Sequence, residues 1–527
     1  MKMSQILYYG GPIITMDQSL YADAVLVEDG IIRFVGGRRE AELLAGSDIK
    51  RVNLGGYALL PSFIDSHSHI TALARTISLL HLEEAKSFED ILSLAKKFVQ
   101  ERNLKPGEWV VGFGYDHNFL AEKQHPDKAL LDTAVFNHPM LITHASGHMG
   151  VFNSMALRAA GITGNTPDPP GGKIGRYPGS TEPNGYLEET AFIQASSMVP
   201  APTADQLCNQ LAEAQKEYFK YGITTIQDGI TRSGEWQLLR TAAEKGIFRA
   251  DVISFVDLEN SKDILMQHSE YVKKYCGRLK IGGYKIFLDG SPQGRTAWLT
   301  QPYQDAADGY RGYPVHSDAV VQSFVRTAAA DGMQLLAHCN GDAAADQFIS
   351  ACQHAPEIKT QRPVMIHAQL LRRDQLSAMA ACGMLASFFA AHIFHWGDIH
   401  RKNLGDQRAF EISPVASARD NGIVYTFHQD SPVIPPDMME TLWCAVNRIS
   451  RDGIVMGTEE RIGVPDALRG VTVNAAYQYF EEKQKGSIAP DKLADLVVLD
   501  KDPLTADPME LKDIRVLQTI KEGKELL

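Results

Sequence analysis

Short apolar runs separated by glycine turns dominate both ends of the chain. Near the start they fall at Ile13–Thr15, Ala24–Val27, Ile31–Val35 and Ala58–Leu60. The turn Glu28-Asp29-Gly30 between two of these runs is typical of a β-hairpin. The far end repeats the pattern with Ala494–Leu499 and Val516–Ile520, after a helical segment around Ala467–Tyr479. We therefore predict one small β-sandwich domain formed by both termini, residues 1–60 and 485–527.

The middle of the chain alternates strand-sized apolar runs with helical patterns such as Ser317–Asp331 and Arg373–Cys382. Eight runs are strand candidates: Phe63–Asp65, Thr224–Asp228, Ala250–Val256, Ile281–Leu288, Gln334–His338, Val364–His367, Leu385–Phe389 and Val424–Phe427. Eight strands in alternating β/α order favour an α/β fold, a parallel (β/α)8 TIM-like barrel, which we assign to residues 61–484.

The gap between the first two barrel strands, residues 70–221, is far too long for one helix. It contains strand-like runs of its own, Trp109–Phe113 and Pro139–Thr143, and a stretch rich in proline and glycine from Asn165 to Gly185. We interpret the gap as a subdomain inserted after the first barrel strand. Its Pro/Gly-rich stretch is expected to form a lid or loop near the functional site.

Composition and charge narrow the function classes. The 527 residues fit two or three domains, and 44% apolar with 22% charged residues is typical of globular proteins. A formal net charge of −12 disfavours nucleic-acid and anionic-membrane partners. The apolar runs are too short to span a bilayer. The N-terminal segment does not resemble a signal peptide, and the six cysteines are scattered, so we expect reduced thiols and a cytoplasmic protein.

The segment Asp65-Ser66-His67-Ser68-His69 follows the apolar run of the first barrel strand. Residues i and i+2 of a strand share a face, so His67 and His69 are expected to project together. Two converging imidazoles form a chelate for zinc or a similar ion. Two surface histidines just past a strand are the alternative interpretation.

Other strand ends carry similar chemistry. His338 and His367 end two successive strands, Asp430 follows the last strand, and Lys285 interrupts an apolar run. Individually these residues could be a hydrogen-bonded core histidine, a capping aspartate and a lysine whose ammonium reaches solvent. Together they predict one ring at the C-terminal mouth of a barrel, where enzymes of this fold keep their active sites.

These residues and the segments around them resemble the amidohydrolase superfamily, specifically the branch called amidohydrolase family 3. The resemblance covers almost the whole chain, and its motifs occur in order. They are Asp65–His69, the segment Lys285–Leu299, His338-Cys-Asn-Gly-Asp342, Ile366-His-Ala-Gln369, His428-Gln-Asp430 and the closing segment Gly486–Pro503.

The resemblance implies a role for each ring residue. His67, His69 and Asp430 would bind one metal ion, His338 and His367 a second, and Lys285 would bridge the two as its carbamate. The expected cofactor is one or two divalent ions, zinc first, with manganese or iron as alternatives. A metal-activated hydroxide would attack a carbonyl, and Asp430 would act as general base and then as general acid.

Six further residues are candidates for substrate binding, with core packing as the alternative interpretation: Asp116, His144, His148, Arg295, Trp298 and His395. The first three lie in the inserted subdomain, and the others follow barrel strands.

The leading hypothesis is a hydrolase that cleaves a carbon–nitrogen bond other than a peptide bond, of amide, formamide or carbamate type. Ester or lactone hydrolysis at the same site is an alternative, and a catalytically silent structural or regulatory homologue is another. The expected partner is a small-molecule substrate, and the family resemblance adds a possible homodimer.

Overall fold

A computed structural model of the protein describes residues 5–46 and 49–527. The chain forms two compact units. Unit 1 contains the residues up to Leu73 together with Leu211–Leu527, and unit 2 is Ala74–Gln210. No helix of the described ranges combines the length and apolar character needed to cross a membrane.

The described strands are β1 (Gln5–Ile14), β2 (Tyr21–Glu28), β3 (Ile31–Gly36), β4 (Lys50–Asn53), β5 (Ala58–Pro61), β6 (Phe63–Ile64), β7 (Leu80–His81), β8 (Val110–Tyr115), β9 (Met140–His144), β10 (Met149–Phe152), β11 (Gly172–Arg176), β12 (Pro183–Glu189), β13 (Ile223–Thr231), β14 (Asp251–Asp257), β15 (Leu279–Phe287), β16 (Gln334–Cys339), β17 (Val364–His367), β18 (Leu385–Phe388), β19 (Tyr425–Phe427), β20 (Leu496–Leu499), β21 (Val516–Lys521) and β22 (Lys524–Glu525).

The described α-helices are α1 (Arg38–Leu44), α2 (Ile70–Ile77), α3 (Phe88–Arg102), α4 (Lys128–Ala134), α5 (Ser154–Ala159), α6 (Thr190–Ser196), α7 (Ala204–Lys220), α8 (Ser233–Glu244), α9 (Asp263–Gln267), α10 (Asp318–Ala330), α11 (Asp342–Gln353), α12 (Arg373–Ala381), α13 (His392–Leu404), α14 (Asp406–Phe410), α15 (Val415–Asp420), α16 (Met438–Asn447), α17 (Val464–Val471) and α18 (Val473–Gln478). Short 3₁₀ helices lie at Ser269–Tyr271, Pro356–Gln361, Thr458–Glu460 and Pro508–Asp513.

The centre of unit 1 is a parallel sheet whose eight strands pair in chain order, from β6 through β13 to β19. Just after β6, the Ser66 hydroxyl donates to the carbonyl of Phe427 in β19 at 2.8 Å, which brings the first and last strands together. The eight predicted strands are therefore present, and they form a barrel with helices between successive strands. Its interior is filled by apolar side chains, among them Ile253, Leu336 and Ile366.

Two of the three predicted helical segments are present close to their predicted bounds, as α10 and α12. Helix α10 begins after its N-cap Ser317, close to the predicted start. The predicted helical segment around Ala467–Tyr479 is instead two helices, α17 and α18, that meet at Thr472. The Thr472 hydroxyl donates to the carbonyl of Leu468 at 2.6 Å, a side-chain bond that competes with the helical backbone pattern.

Both ends of the chain contribute to a second sheet in unit 1, ordered β22-β21-β20-β5-β1-β2-β3 with β4 beside β1. Strands β5 and β20 pair antiparallel and join the two ends. The hairpin between β2 and β3 is confirmed, and Asp29 and Gly30 both take the positive φ values, 48° and 83°, that such a tight turn requires. The strand pairing describes one continuous sheet. Whether this sheet folds into the two layers of a β-sandwich stays a prediction.

A cluster of buried ion pairs connects this terminal sheet to the N-terminal end of the barrel. Oδ2 of Asp251, at the start of β14, lies 2.6 Å from Nζ of both Lys485 and Lys521. Lys521 also contacts Asp495 at 2.7 Å, and Lys485 contacts Glu481 at 2.7 Å. Each buried charge therefore has opposite charges beside it, which burial at this depth requires.

Unit 2 has its own six-stranded sheet, ordered β11-β12-β10-β9-β8-β7. The two predicted strand runs are present as β8 and β9, which pair in parallel. The Pro/Gly-rich stretch Asn165–Gly185 is only partly loop, because it contains β11 and the start of β12. Its proposed action as a lid stays a prediction.

Candidate metal centre

The two histidines of the Asp65–His69 segment converge, although they lie beyond the strand that was expected to carry them. Strand β6 ends at Ile64, after which the hydroxyls of Ser66 and Ser68 bond to backbone carbonyls of neighbouring strands. These bonds replace a regular strand pattern. The imidazole rings of His67 and His69 nevertheless have centroids 5.1 Å apart.

Strands β15 and β16 supply the next two side chains. The Lys285 ammonium nitrogen lies 3.2 Å from Nε2 of His67 and is fully buried. His338 shares a strand face with Leu336, which belongs to the barrel core. Nε2 of His338 donates to the carbonyl of Gly290 at 3.1 Å, which leaves Nδ1 unprotonated and 3.0 Å from Nε2 of His367.

Backbone strain positions the remaining two predicted residues. Strand alternation would direct His367 to the face opposite Ile366, a core residue. His367 instead has a φ of 71°, which breaks the alternation and turns its ring toward His338. Asp430, beyond β19, has a φ of 55°. Non-glycine residues in this left-handed region are strained, and such strain concentrates at functional sites.

The six residues together surround one small space, and we refer to them as the barrel cage: His67, His69, Lys285, His338, His367 and Asp430. Ligand atoms of His67, His367 and Asp430 all lie within 4.8 Å of one another. Oδ1 of Asp430 lies 3.1 Å from Nε2 of His69 and 3.4 Å from Nε2 of His67. This buried oxygen nonetheless accepts no hydrogen bond of good geometry from the described residues.

Three of the four cage imidazoles, those of His67, His338 and His367, are held in the neutral form that binds metal ions. Burial, followed by the charge of Lys285, lowers the pKa of His338 to about 4. Burial also holds the pKa values of His67 and His367 well below the ordinary value. Near neutral pH these rings carry unprotonated nitrogens, as metal ligation requires.

The pKa values of Asp430 and Lys285 are also lowered, which favours an ionised carboxylate and makes a neutral amine accessible. Burial raises the pKa of Asp430, but the close Nε2 of His69, followed by the positive charge that His67 and His367 carry when protonated, lowers that pKa well below its usual range. Burial lowers the pKa of Lys285 to about 7. An ionised carboxylate with a free oxygen beside neutral imidazoles fits a divalent cation, and the donor set suits zinc, manganese or iron.

Three residues that support the barrel cage were missed by the sequence analysis. Oε1 of Gln227 accepts from Nδ1 of His67 at 2.6 Å and leaves Nε2 facing the cage. His428 adds a fifth imidazole, with Nε2 3.1 Å from Nδ1 of His367. Its place two residues before Asp430 was an available signal, because residues i and i+2 of a strand share a face.

The third residue is the buried Asp289, which supports the loop beyond His338. Its carboxylate accepts hydrogen bonds from the backbone N–H groups of Trp298, Asn340 and Gly341.

The predicted substrate-binding residues of unit 1 occupy three different settings. Arg295 donates to the carbonyl of Gln304 at 3.2 Å. Trp298 is tied to Asp289 through its backbone N–H. His395 bonds to Glu440 at 2.8 Å through Nε2. Their roles toward a substrate stay predictions.

The predicted substrate-binding residues of unit 2 divide into a pair and a single residue. Asp116 and His144 lie together, with Oδ1 and Nε2 3.4 Å apart. His148 is separate and exposed, and its Nδ1 lies 3.3 Å from Glu189. Their roles toward a substrate also stay predictions.

Comparison with known proteins establishes the family. The sequence profile described as "Amidohydrolase family" matches residues 50–526, so the chain belongs to the amidohydrolase family and the predicted resemblance is confirmed. "Putative amidohydrolase YtcJ" of Bacillus subtilis (strain 168) is 29% identical over 98% of this chain and 98% of its own length. "N-substituted formamide deformylase" of Arthrobacter pascens is 27% identical over 99% of this chain and 98% of its own.

A solved structure supports the same fold. The crystal structure of an uncharacterized metal-dependent hydrolase from Pyrococcus furiosus matches with a TM-score of 0.76 at 22% identity. The match covers 95% of this chain and all of that chain (100%). The chain therefore has the TIM-like barrel fold of the metal-dependent hydrolases in this superfamily.

Proposed function

We propose that this protein is a metal-dependent hydrolase that cleaves a non-peptide carbon–nitrogen bond in a small molecule, of amide, formamide or carbamate type. The observation that carries the proposal is the barrel cage, in which neutral imidazoles surround an ionised carboxylate with a free oxygen. A structural protein would have no need to keep the buried carboxylate oxygen of Asp430 without a hydrogen bond.

The barrel cage offers ligands for one or two divalent ions, zinc first. His67, His69 and Asp430 would hold one ion, and His338 with His367 a second. An ion held there supplies a Lewis acid that lowers the pKa of water and polarises a carbonyl oxygen. Around it, Gln227 and Gly290 fix the two ring tautomers that present Nε2 of His67 and Nδ1 of His338.

Lys285 would join the cage as a carbamate. A pKa near 7 makes the neutral amine accessible, and that form adds to carbon dioxide, forming an N–C bond and releasing one proton. The product replaces a buried positive charge by an anionic carboxylate with two oxygens. This exchange removes the cost of an unpaired ammonium and creates a bridging ligand.

Asp430 would handle the proton of the reaction. Its Oδ1 is ionised and faces the cage, so it can accept the proton of the attacking water. The same oxygen can then deliver that proton to the leaving nitrogen. An amine leaves readily only when protonated, so this delivery matters more for a carbon–nitrogen bond than for an ester.

The choice of bond is supported by the deformylase among the relatives, whose name describes action on N-substituted formamides. Esters and lactones remain the alternative, because their carbonyl carbon accepts the same attack. A silent homologue is disfavoured, because all six cage positions carry residues that can bind a metal.

The test is metal dependence followed by Asp430→Asn. Chelation should abolish hydrolysis of the best substrate, and zinc or manganese should restore it. Asp430→Asn should keep the fold and lower kcat by about 10²–10⁴-fold, the usual contribution of a general acid–base group. Asp437→Asn is the matched control, because Asp437 only caps α16 and asparagine caps equally well.

A substrate panel separates the three functions. Formyl, acetyl and carbamoyl amines would be compared with esters of the same acyl groups. Faster turnover of the amines supports the proposal, whereas a preference for esters replaces it with the alternative. A metal-loaded protein that hydrolyses none of the panel would point to the silent homologue, and a near-normal rate in Asp430→Asn would exclude the role given to Asp430.

A further inference from the structure

A second group of ligand-type side chains lies in unit 2 and shares no residue with the barrel cage. Asp116 and His117 follow β8, and His144 is the last residue of β9. Because β8 and β9 are parallel neighbours, with Tyr115 paired to His144, their carboxyl ends bring these side chains together. We refer to Asp116, His117 and His144 as the unit 2 triad.

Three atoms of the triad form a nearly regular triangle. Nε2 of His144 lies 3.3 Å from Nδ1 of His117 and 3.4 Å from Oδ1 of Asp116, and the last two atoms are 3.7 Å apart. A tetrahedral ion with bonds of about 2.0–2.1 Å holds its ligand atoms about 3.3–3.4 Å apart. The sides of the triangle thus match a shared cation better than hydrogen bonds, which have a usual length of about 2.9 Å.

The surroundings orient two of the three ligands. Oδ1 of Asp116 accepts hydrogen bonds from the backbone N–H of Asn118 at 2.8 Å and from its side-chain amide at 3.0 Å. Nδ1 of His144 lies 2.9 Å from the hydroxyl and 3.0 Å from the N–H of Ser146. Because the Ser146 N–H can only donate, the imidazole proton lies on Nε2 in the metal-free protein. An ion bound at Nε2 would displace that proton to Nδ1, where the Ser146 hydroxyl can accept the hydrogen bond.

We propose that the unit 2 triad is a binding site for a divalent transition-metal ion of the zinc class. Two imidazoles and one carboxylate supply three ligands, which leaves a fourth position for water or a substrate atom.

The test counts bound ions in the full-length protein. Metal-free protein is titrated with zinc, passed over a desalting column and analysed for zinc per chain, and the titration is repeated with cobalt to record d–d absorption. His117→Asn and Asp116→Asn should each bind one ion fewer than wild type. Both replaced side chains are partly exposed, and circular dichroism checks that the variants fold.

The matched control is His148→Asn. His148 and Glu189 also form a histidine–carboxylate pair, at 3.3 Å, but the described residues place no third ligand atom with them. This variant should keep the wild-type zinc content.

A variant of the other site separates this proposal from the proposed function. A variant that removes ligands of both proposed barrel ions, His67→Asn with His338→Asn and Asp430→Asn, should still bind one ion, and that ion should disappear when His117→Asn is added. The proposal is overturned if the barrel variant binds no zinc, or if His117→Asn and Asp116→Asn retain the wild-type count. Neither result would alter the case for the barrel cage.

Discussion

Replacing Gln227 by leucine tests whether the side chain behind His67 sets the metal affinity of the barrel cage. Gln227 is buried in β13, where Oε1 accepts from Nδ1 of His67 at 2.6 Å. Its amide nitrogen donates to the carbonyl of Ser66 at 2.8 Å and to the Tyr479 hydroxyl at 2.7 Å. Leucine has a similar shape and no polar group, so Gln227→Leu removes three hydrogen bonds with little change in packing.

The expected size of the effect follows from what the three partners retain. The Ser66 carbonyl still accepts from Gln478 at 2.8 Å, and the Tyr479 hydroxyl still donates to the carbonyl of Asp65 at 2.7 Å. Only Nδ1 of His67 is left as an unpaired buried donor, which costs about 1–3 kcal/mol of unfolding free energy. Because the ring also loses its fixed tautomer, metal affinity should fall about 10–100-fold.

The assay is competition with a chromophoric chelator, combined with urea unfolding of the metal-free protein. The control is Gln334→Leu, at the start of β16, because the amide of Gln334 also donates to two backbone carbonyls, those of Arg362 and Gln478 at 2.9 Å. It should lose comparable stability and keep wild-type metal affinity. Unchanged metal affinity in Gln227→Leu, or an equal fall in the control, would refute the reasoning.

Four further predictions concern the cage and the buried charges. A methyl group on Gly229 would lie 2.5 Å from Cε1 of His67, so Gly229→Ala should lower the metal content found by elemental analysis; an unchanged content would show that the ring moves freely. Lys285→Ala should lose metal and recover part of its activity with a small carboxylic acid, whereas failure to recover would indicate an ordinary lysine. Asp251→Asn leaves two buried lysines short of a carboxylate and should cost about 3–5 kcal/mol in urea unfolding; a loss below about 1 kcal/mol would contradict this. Burial would raise the pKa of Glu481, but neighbouring lysines lower it to about 2, so its contribution to stability should be lost as pH falls from about 4.5 toward 2; a constant Tm over that range would count against it.

The sequence was sufficient for the parts of the site that depend on strand order. Parallel strands of a barrel all end at one mouth, so a histidine or lysine near a strand end can be assigned to that mouth without coordinates. Lys285 and His338 were predicted in this way, and both lie in the barrel cage. Similarly, the terminal sheet was predicted because its strands alternate with strong turn signals.

Other contributions depend on backbone geometry or on contacts between distant residues. The alternating pattern would direct His367 away from the cage, and only its positive φ turns the ring inward. Gln227 appears in the sequence as a polar residue in an apolar run, and nothing nearby shows that it bonds to His67, 160 residues away. The unit 2 triad depends on the pairing of β8 with β9, which local patterns do not reveal.

The pairing of β5 with β20 has a consequence for synthesis of the protein. On the ribosome, β5 emerges almost a whole chain length before β20 exists, and at about 5–20 residues per second that delay is on the order of a minute. During this time the β5 edge is an unprotected template for the strands of other nascent chains. Chaperone engagement should therefore concentrate on the early strands and end when the last ones are made. A deletion that removes β20 would leave this edge of β5 permanently unpaired.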